Sequence, residues 1–346
     1  MEKFSQFRDA STGVQPFTVP LAPNSDPLPP IASILLAPFA ALLGSVRTLV
    51  VLLLLGAQLI LVEGVLRVFS PVEPLYAVLT RAANAAISRL ILAVVGVLWI
   101  KVETVRLKRT GRSPPQVPFA PKKGDLVVAN SSSYLDLLYL AFRFNPTFLL
   151  PVTSPSSPNK ITGFRRVSLF TALLASGALP KQQADGGESL EEALKKASGP
   201  AVLFPEATTS NSRALLKFPE LAQPASSSAS GKTTSVRVFV LAFKYPSPTR
   251  LAPTLTYPIP STTFLGLPLP HLFSLTRLAS IYTFSVRLLH ASECPRLTLT
   301  PGANPTKDEW DALSETLAGA GRLKKVGGLG WVEKGKFLEM RRLKGR

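Results

Sequence analysis

Residues 124–144 read GDLVVANSSSYLDLLYLAFRF. Leu126–Ala129 is a short apolar run of the kind a buried strand makes. Asn130–Ser133 are small and polar, as a turn requires. SYLDLLYLAFRF then reads as the helix that follows. A strand that stops in a polar turn and feeds a helix is the unit of an α/β fold. The alternation continues: TFLLPVT (147–153) reads as a strand, and FRRVSLFTALLASG (164–177) as a helix. ESLEEALKKAS (188–198) is an amphipathic helix with Glu–Lys spacing. PAVLFPE (200–206), VRVFVLAFKY (236–245) and FSVRLLHASE (284–293) read as further strands. The expected fold class is therefore α/β, a mixed sheet flanked by helices.

Upstream the character changes. Residues 31–69 are IASILLAPFAALLGSVRTLVVLLLLGAQLILVEGVLRVF, nearly unbroken apolar sequence from Thr48 to Val62. A spanning helix needs about 20 apolar residues, which this stretch supplies if Arg47 snorkels or if Ile31–Gly44 forms a separate limb. Pro38 and Gly44 are candidate punctuation for a hairpin. A second apolar stretch, residues 86–105, reads as a half-buried interfacial helix or a second limb, with Trp99 beside Lys101 at a membrane–water boundary. Four regions follow: a Pro-rich, poorly packed arm (1–30), membrane-anchoring segments (31–105), an α/β domain (106–300) and a basic tail (301–346). Residues 222–235 read as a low-complexity insertion.

The chain has 346 residues, 46% of them hydrophobic, and a net charge of +18 from 39 Lys+Arg against 21 Asp+Glu. That balance favours anionic partners. The apolar stretches select membrane lipid over nucleic acid, for which there is no RNP pattern, zinc finger or aromatic–basic interleaving. Lys101, Arg106, Lys108, Arg109, Arg112, Lys122 and Lys123 mark the cytosolic side. Residues 322–346 hold nine Lys/Arg and two Glu, a tail for anionic lipid or for solvent. Cys294 is the single cysteine, so there is no disulfide framework and no Cys-based metal site. The two histidines, His271 and His290, lie far along the chain from any motif and read as structural or surface residues. With no nucleotide-binding Gly-rich loop, no cofactor is expected.

Two segments carry chemistry. In the first, Ser131, Ser132 and Ser133 stand where the strand stops and Asp136 lies in the first turns of the helix. A helix N-terminus favours anions, and a Ser there is commonly a cap. The second is LFPEATTSNSRALLKF, residues 203–218. A buried strand delivers Glu206 to its C-terminal end, followed by Thr208, Thr209, Ser210, Asn211, Arg213 and Lys217. Glu206 suits a polyol hydroxyl, and the hydroxyls and Arg213 suit a phosphate. A polar turn with a structural Glu has the same residue types.

These two segments resemble blocks of the PlsC-type glycerophospholipid and lysophospholipid acyltransferases. FPEATTSN is similar to F-P-E-G-T-x-S, with Ala207 in place of Gly, and NSSSYLD to N-H-x-x-x-x-D, with Ser131 in place of His. SGALPKQQ (176–183) matches the middle block poorly, with Gln183 for its final Arg, and VLAFKYP (240–246) fits the strand of the fourth block. Within the family the opening MEKFSQFRD resembles the fungal lysophosphatidic acid:oleoyl-CoA acyltransferase group, which also carries a small residue at the His position.

The resemblance implies acyl transfer from acyl-CoA, a cosubstrate and not a cofactor, to lysophosphatidic acid, giving phosphatidic acid. It implies residence at the endoplasmic reticulum membrane and lipid droplets, with membrane lipids, lysophospholipid and acyl-CoA as partners. It assigns Ser131 and Asp136 to the catalytic positions, and Glu206, Thr208, Thr209, Ser210, Asn211 and Arg213 to substrate. In the family His is the general base and Asp orients it. A serine cannot accept a proton near neutral pH without a base of its own, and Asp136 is then the nearest acceptor. The alternative is a lipid-binding pseudoenzyme of the same fold.

Overall fold

The computed structural model describes residues 4–22, 30–69, 71–107, 118–223, 233–249, 252–261 and 266–344. Lys108, Arg109, Arg112 and most of the 222–235 insertion lie outside the described residues.

Two helices open the body. α1, Pro30–Gln58, runs without a break through Pro38 and Gly44, continuing as a π turn and a 3₁₀ turn to Phe69. α2, Glu73–Val95, returns beside it. The hairpin bend therefore lies near residue 70, not at Pro38 or Gly44. Leu35–Phe69 and Pro74–Val95 are long and apolar enough to cross a membrane, and only 28% and 33% of their most apolar windows are buried in the protein. Leu36, Phe39, Leu42, Leu53 and Ile60 are exposed. A contiguous apolar surface of this kind is typical of a face that meets a membrane or another protein.

Arg47 is tied to the body. Its guanidinium donates to the backbone O of Leu278 (3.2 Å), just past the C-terminus of a body helix, where a cation is favoured. Gly44 sits so close to Arg277 and Phe273 that a Cβ would stand 2.9 Å from them.

The second apolar stretch divides at Gly96. α2 ends there with φ +106°, where a Cβ would meet the Ser280 carbonyl at 2.7 Å. Residues beyond it form a strand, β1 (Val97–Val105), and not an interfacial helix. β-branched and aromatic residues at 97–105 favour the pleated form.

The rest follows in order: β2 (Leu126–Ala129), α3 (Tyr134–Phe144), β3 (Thr147–Thr153), β4 (Gly163–Val167), α4 (Leu169–Leu174), β5 (Lys181–Gln182), α5 (Leu190–Lys195), β6 (Ala201–Leu203), β7 (Ala214–Leu215), β8 (Thr234–Lys244), α6 (Leu269–Thr276), β9 (Tyr282–Leu289), β10 (Arg296–Leu299), α7 (Lys307–Gly321), β11 (Lys324–Lys325) and α8 (Trp331–Lys344). Residues 164–177, expected to be one helix, are split: Phe164–Val167 pair antiparallel to β3 before the chain turns into α4. Ser168 caps α4 and marks the division.

The main sheet runs β1-β9-β8-β2-β6-β3-β4, with β10 on β8 and β5 on β3. β8, β2, β6 and β3 are parallel, whereas β4, β10 and the β8–β9 pair are antiparallel. A mixed sheet flanked by helices is thus what forms. One face packs on α2, α3 and α6, and the other on α5 and α7.

Both ends of the chain depart from expectation. The arm is packed: Phe7 and Phe17 are buried with Ala214, Leu216 and Phe337 in a small core of their own. The C-terminal region packs on the body through its apolar residues and Lys334, while Arg322, Lys324, Lys325, Lys336, Arg341 and Arg342 stay exposed. Trp310, Leu313 and Leu317 of α7 are buried in the main core, and Lys334 of α8 is wholly buried.

Candidate functional site

β2 and β6 are adjacent and parallel, so the segments following both emerge at one edge of the sheet. This is where ligands bind in open α/β sheets. Asn130 locks the end of β2 to β8: its side chain accepts from Phe243 N (2.7 Å) and donates to Phe243 O (3.1 Å). Ser133 caps α3, with Asp136 closing the reciprocal capping box.

The two motif segments meet at Ser131. Its amide donates to Glu206 Oε1 (2.9 Å), and its carbonyl accepts from Ser210 N (2.9 Å). Glu206 is fully buried and accepts a second bond from Leu216 N (3.0 Å). Burial pushes its carboxyl up to about 8, helped by the nearby Asp136 and opposed by the two amides and Lys334. Ala207 takes φ +59°, the left-handed region that favours the glycine of the family block.

Asp136 is also fully buried. Oδ2 accepts from the amides of Ser132 (2.8 Å) and Ser133 (2.9 Å), and Oδ1 from Tyr245 Oη (2.5 Å). Burial raises its carboxyl to about 7 against these three bonds. Tyr245 is thus the side-chain partner of Asp136, while Ser131 is tied in through its backbone.

The hydroxyl cluster is held from inside. Lys334 Nζ, brought by α8, donates to Thr208 Oγ1 (2.8 Å), Thr209 O (2.8 Å) and Thr209 Oγ1 (3.1 Å). Burial lowers its amine to about 7, with Glu206 pulling the other way. Asn211 donates to the carbonyls of Gln15 (2.7 Å) and Thr18 (3.1 Å), and its amide to Pro16 O, so the N-terminal segment lies against the block. Ser210 is buried, whereas Arg213 is exposed.

His271 is distant in sequence but close in space. Its Nε2 lies 3.0 Å from Thr254 O, a pure acceptor, so Nε2 carries the proton and Nδ1 accepts from Tyr134 Oη at 3.1 Å. Burial lowers the imidazole to about 4 and keeps it neutral. Tyr257 bridges the groups: its amide donates to Ser132 O (2.7 Å), its carbonyl accepts from Thr209 Oγ1 (2.6 Å), and its ring lies 5.3 Å from that of His271. His290 is buried and bonded to Ser292, a structural role. Tyr245, Lys334, Tyr257 and His271 carry no local signal. Tyr245 alone lies in a segment, VLAFKYP, that the family resemblance picks out.

No family model matches the chain. A protein of Schizosaccharomyces pombe named "Putative lysophosphatidic acid:oleoyl-CoA acyltransferase" is 27% identical over 266 residues, covering 75% of this chain and 77% of that protein. The crystal structure of the 1-acyl-sn-glycerophosphate (LPA) acyltransferase PlsC from Thermotoga maritima aligns over 88% of this chain and 98% of its own. Its 13% identity and TM-score of 0.38 carry no argument about the site. The two blocks in order and the long sequence match agree: the chain resembles the PlsC-type glycerophospholipid and lysophospholipid acyltransferases.

Proposed function

We propose that this protein transfers an acyl group from acyl-CoA to a lysophospholipid, lysophosphatidic acid giving phosphatidic acid, at the cytosolic face of the endoplasmic reticulum or of lipid droplets. The observation that carries the reading is the meeting of the two blocks at Ser131, between Glu206 and Ser210, at the sheet edge. The apolar hairpin beside the body supports a membrane-borne substrate. The name of the fission-yeast relative supports the acceptor and the donor.

The domain plan that goes with this reading is a hairpin anchor followed by an acyltransferase-like body that takes in both ends of the chain. Ser131 and Asp136 stand at the catalytic positions of the block, and Glu206, Thr208, Thr209, Ser210, Asn211 and Arg213 at the substrate positions. A lipid-binding pseudoenzyme is the second reading. It is favoured by Ser131 in place of His and by an Asp136 whose oxygens are already taken.

The test is direct. Full-length protein in phosphatidylcholine vesicles is given oleoyl-CoA and lysophosphatidic acid, and thiol release and phosphatidic acid are followed together. Equal formation of both supports the enzyme. Lysolipid-dependent thermal stabilisation with neither product formed selects the pseudoenzyme.

A further inference from the structure

The apolar hairpin has a polar joint where it meets the body. Past Gln58 the helix α1 loosens into the π turn Leu59–Gly64, a form that recurs at functional sites. There Gln58, Glu63 and Arg67 line a cavity of about 390 Å³, walled on the other side by Thr80 and Asn84 of α2 and by the turn between α3 and β3. Asn145 ends α3 and Thr147 begins β3, so the cavity lies at the sheet edge opposite Ser131. Gln58 Nε2 donates to Asn84 Oδ1 (3.3 Å), and Asn84 Nδ2 to Asn145 Oδ1 (2.7 Å). Gln58 is 2% exposed, and its Oε1 receives no hydrogen bond among the described residues; neither does the buried Oε1 of Glu63. Arg166 is also in the wall, but its guanidinium is taken up by Glu188 (2.9 and 3.3 Å) and by Lys196 O (2.9 Å). Ionisable groups on an otherwise apolar helix are costly, and where they line a cavity they mark a ligand or ion site.

We infer that this cavity binds the headgroup of a membrane lipid that joins a primary ammonium to a phosphate, as phosphatidylethanolamine does, with Glu63 on the ammonium and Arg67 on the phosphate. The inference takes the apolar face of the hairpin to meet lipid, and it does not rest on the acyl-transfer reading. The unmade bonds select the chemistry. Gln58 Oε1 and Glu63 Oε1 are acceptors, so what they lack is an N–H or O–H donor. Glu63 is half-buried in the cavity wall, and a carboxylate there favours a cationic donor. A primary ammonium brings three N–H groups, whereas a trimethylammonium brings none. Arg67 lies one turn beyond Glu63 and is exposed, and its guanidinium is the side-chain group best matched to phosphate. Val65, Val68, Phe69, Val72 and Leu75 are exposed around the hairpin bend, an apolar surface for the acyl chains of a lipid whose headgroup sits beside it. The volume is that of a small-ligand site.

The experiment uses full-length protein in phosphatidylcholine vesicles and follows melting as phosphatidylethanolamine replaces part of the bilayer. Wild type is expected to gain about 2 °C in Tm at roughly tenfold excess over Kd. The gain is expected to shrink through the N-methyl and N,N-dimethyl lipids, and to be absent with phosphatidylglycerol, which has the phosphate without the ammonium. Glu63→Gln and Arg67→Gln change residues that are not buried, and both are expected to melt as wild type does in phosphatidylcholine alone. Each is expected to weaken the response to phosphatidylethanolamine about tenfold in apparent Kd, the effect of one lost charge-assisted hydrogen bond. Soluble phosphoethanolamine separates the two sources of the headgroup. No shift with it supports the lipid, and a shift equal to the lipid's overturns the lipid as the ligand in favour of the free headgroup. An equal gain with phosphatidylglycerol overturns the ammonium–phosphate recognition itself. So does a gain with phosphatidylethanolamine that both variants keep in full, which is an effect of the bilayer and not of the cavity.

Discussion

The FPEATTSN block and the surface around His271 are neighbours, joined through Tyr257, yet they are built in opposite ways. In the block, Glu206, Thr208, Thr209, Ser210 and Asn211 are each no more than 5% exposed. Their polar atoms are met by Ser131, Leu216, Lys334 and the N-terminal segment. Around His271, a mainly apolar wall with Glu339, Arg341 and Arg342 at its edge lines an open cavity instead. Residues that identify a family by sequence are here bonded within the protein and hold the shape of the sheet edge. Few residues of the blocks reach solvent: Ser131 and Phe204 are half-buried, and Ser132, Ser133 and Asp136 are buried. Buried polar groups must be partnered, so a motif this deeply buried recruits partners from wherever the chain can supply them.

If the block is held from both ends of the chain, its largest dependence is on the N-terminal segment. Phe17 is fully buried, with the Phe337 ring 5.7 Å away. Phe17→Ala is expected to cost about 3–5 kcal/mol, read by denaturant or thermal unfolding. A loss below about 1 kcal/mol would mean that the segment merely rests on the surface and that the block is not sealed in solution.

Lys334 comes next. Lys334→Met keeps the aliphatic stem but leaves Thr209 O and the two hydroxyls short of a donor, an expected loss of about 2–3 kcal/mol. A neutral outcome would show that water replaces the ammonium, bringing the block closer in character to the cavity.

The third test uses pH. Glu206 is raised to about 8 and Asp136 to about 7, so the folded state keeps protons that the unfolded chain releases above its ordinary carboxylate range. The contribution of these two carboxyls to stability therefore falls as pH rises from about 5 to about 8. Lys334, lowered to about 7, has the opposite sign above that value, because there the unfolded chain holds the extra proton. His271, lowered to about 4, opposes the fall only up to its ordinary range near 6.5. Each unmatched proton contributes about 1.4 kcal/mol per pH unit. Between about pH 7 and 8, where Asp136 is largely ionised, Glu206 and Lys334 nearly cancel, so Glu206→Gln is expected to turn a nearly flat profile upward, with Lys334 then acting unopposed. A melting profile that keeps its slope in this variant would assign the proton uptake to another group.

The smallest effect is expected at Ala207. Returning a glycine to φ +59° relieves a left-handed alanine, and Ala207→Gly should stabilise by about 1 kcal/mol. Destabilisation would mean that the alanine methyl contributes more to packing than the backbone conformation costs.

By itself the sequence determined what depends on neighbours along the chain. Short apolar runs between polar turns are strands in β2, β3, β6, β8 and β9, and capping residues start α3 and α5. The apolar content of residues 31–95 required a surface other than water. The residues of two blocks named a family. Boundaries that depend on tertiary partners were not legible. Phe164–Val167 became a strand because β3 offered an unpaired edge. Val97–Val105 became a strand because β9 lay beside it. Tertiary structure alone decided that a Pro-rich arm packs, that a lysine in a basic tail is buried beneath the FPEATTSN block, and that a histidine 137 residues beyond Tyr134 meets its hydroxyl. Each of these is a contact between groups far apart in sequence. Its free energy comes from burial and from hydrogen bonds that exist only once the sheet has brought the segments together.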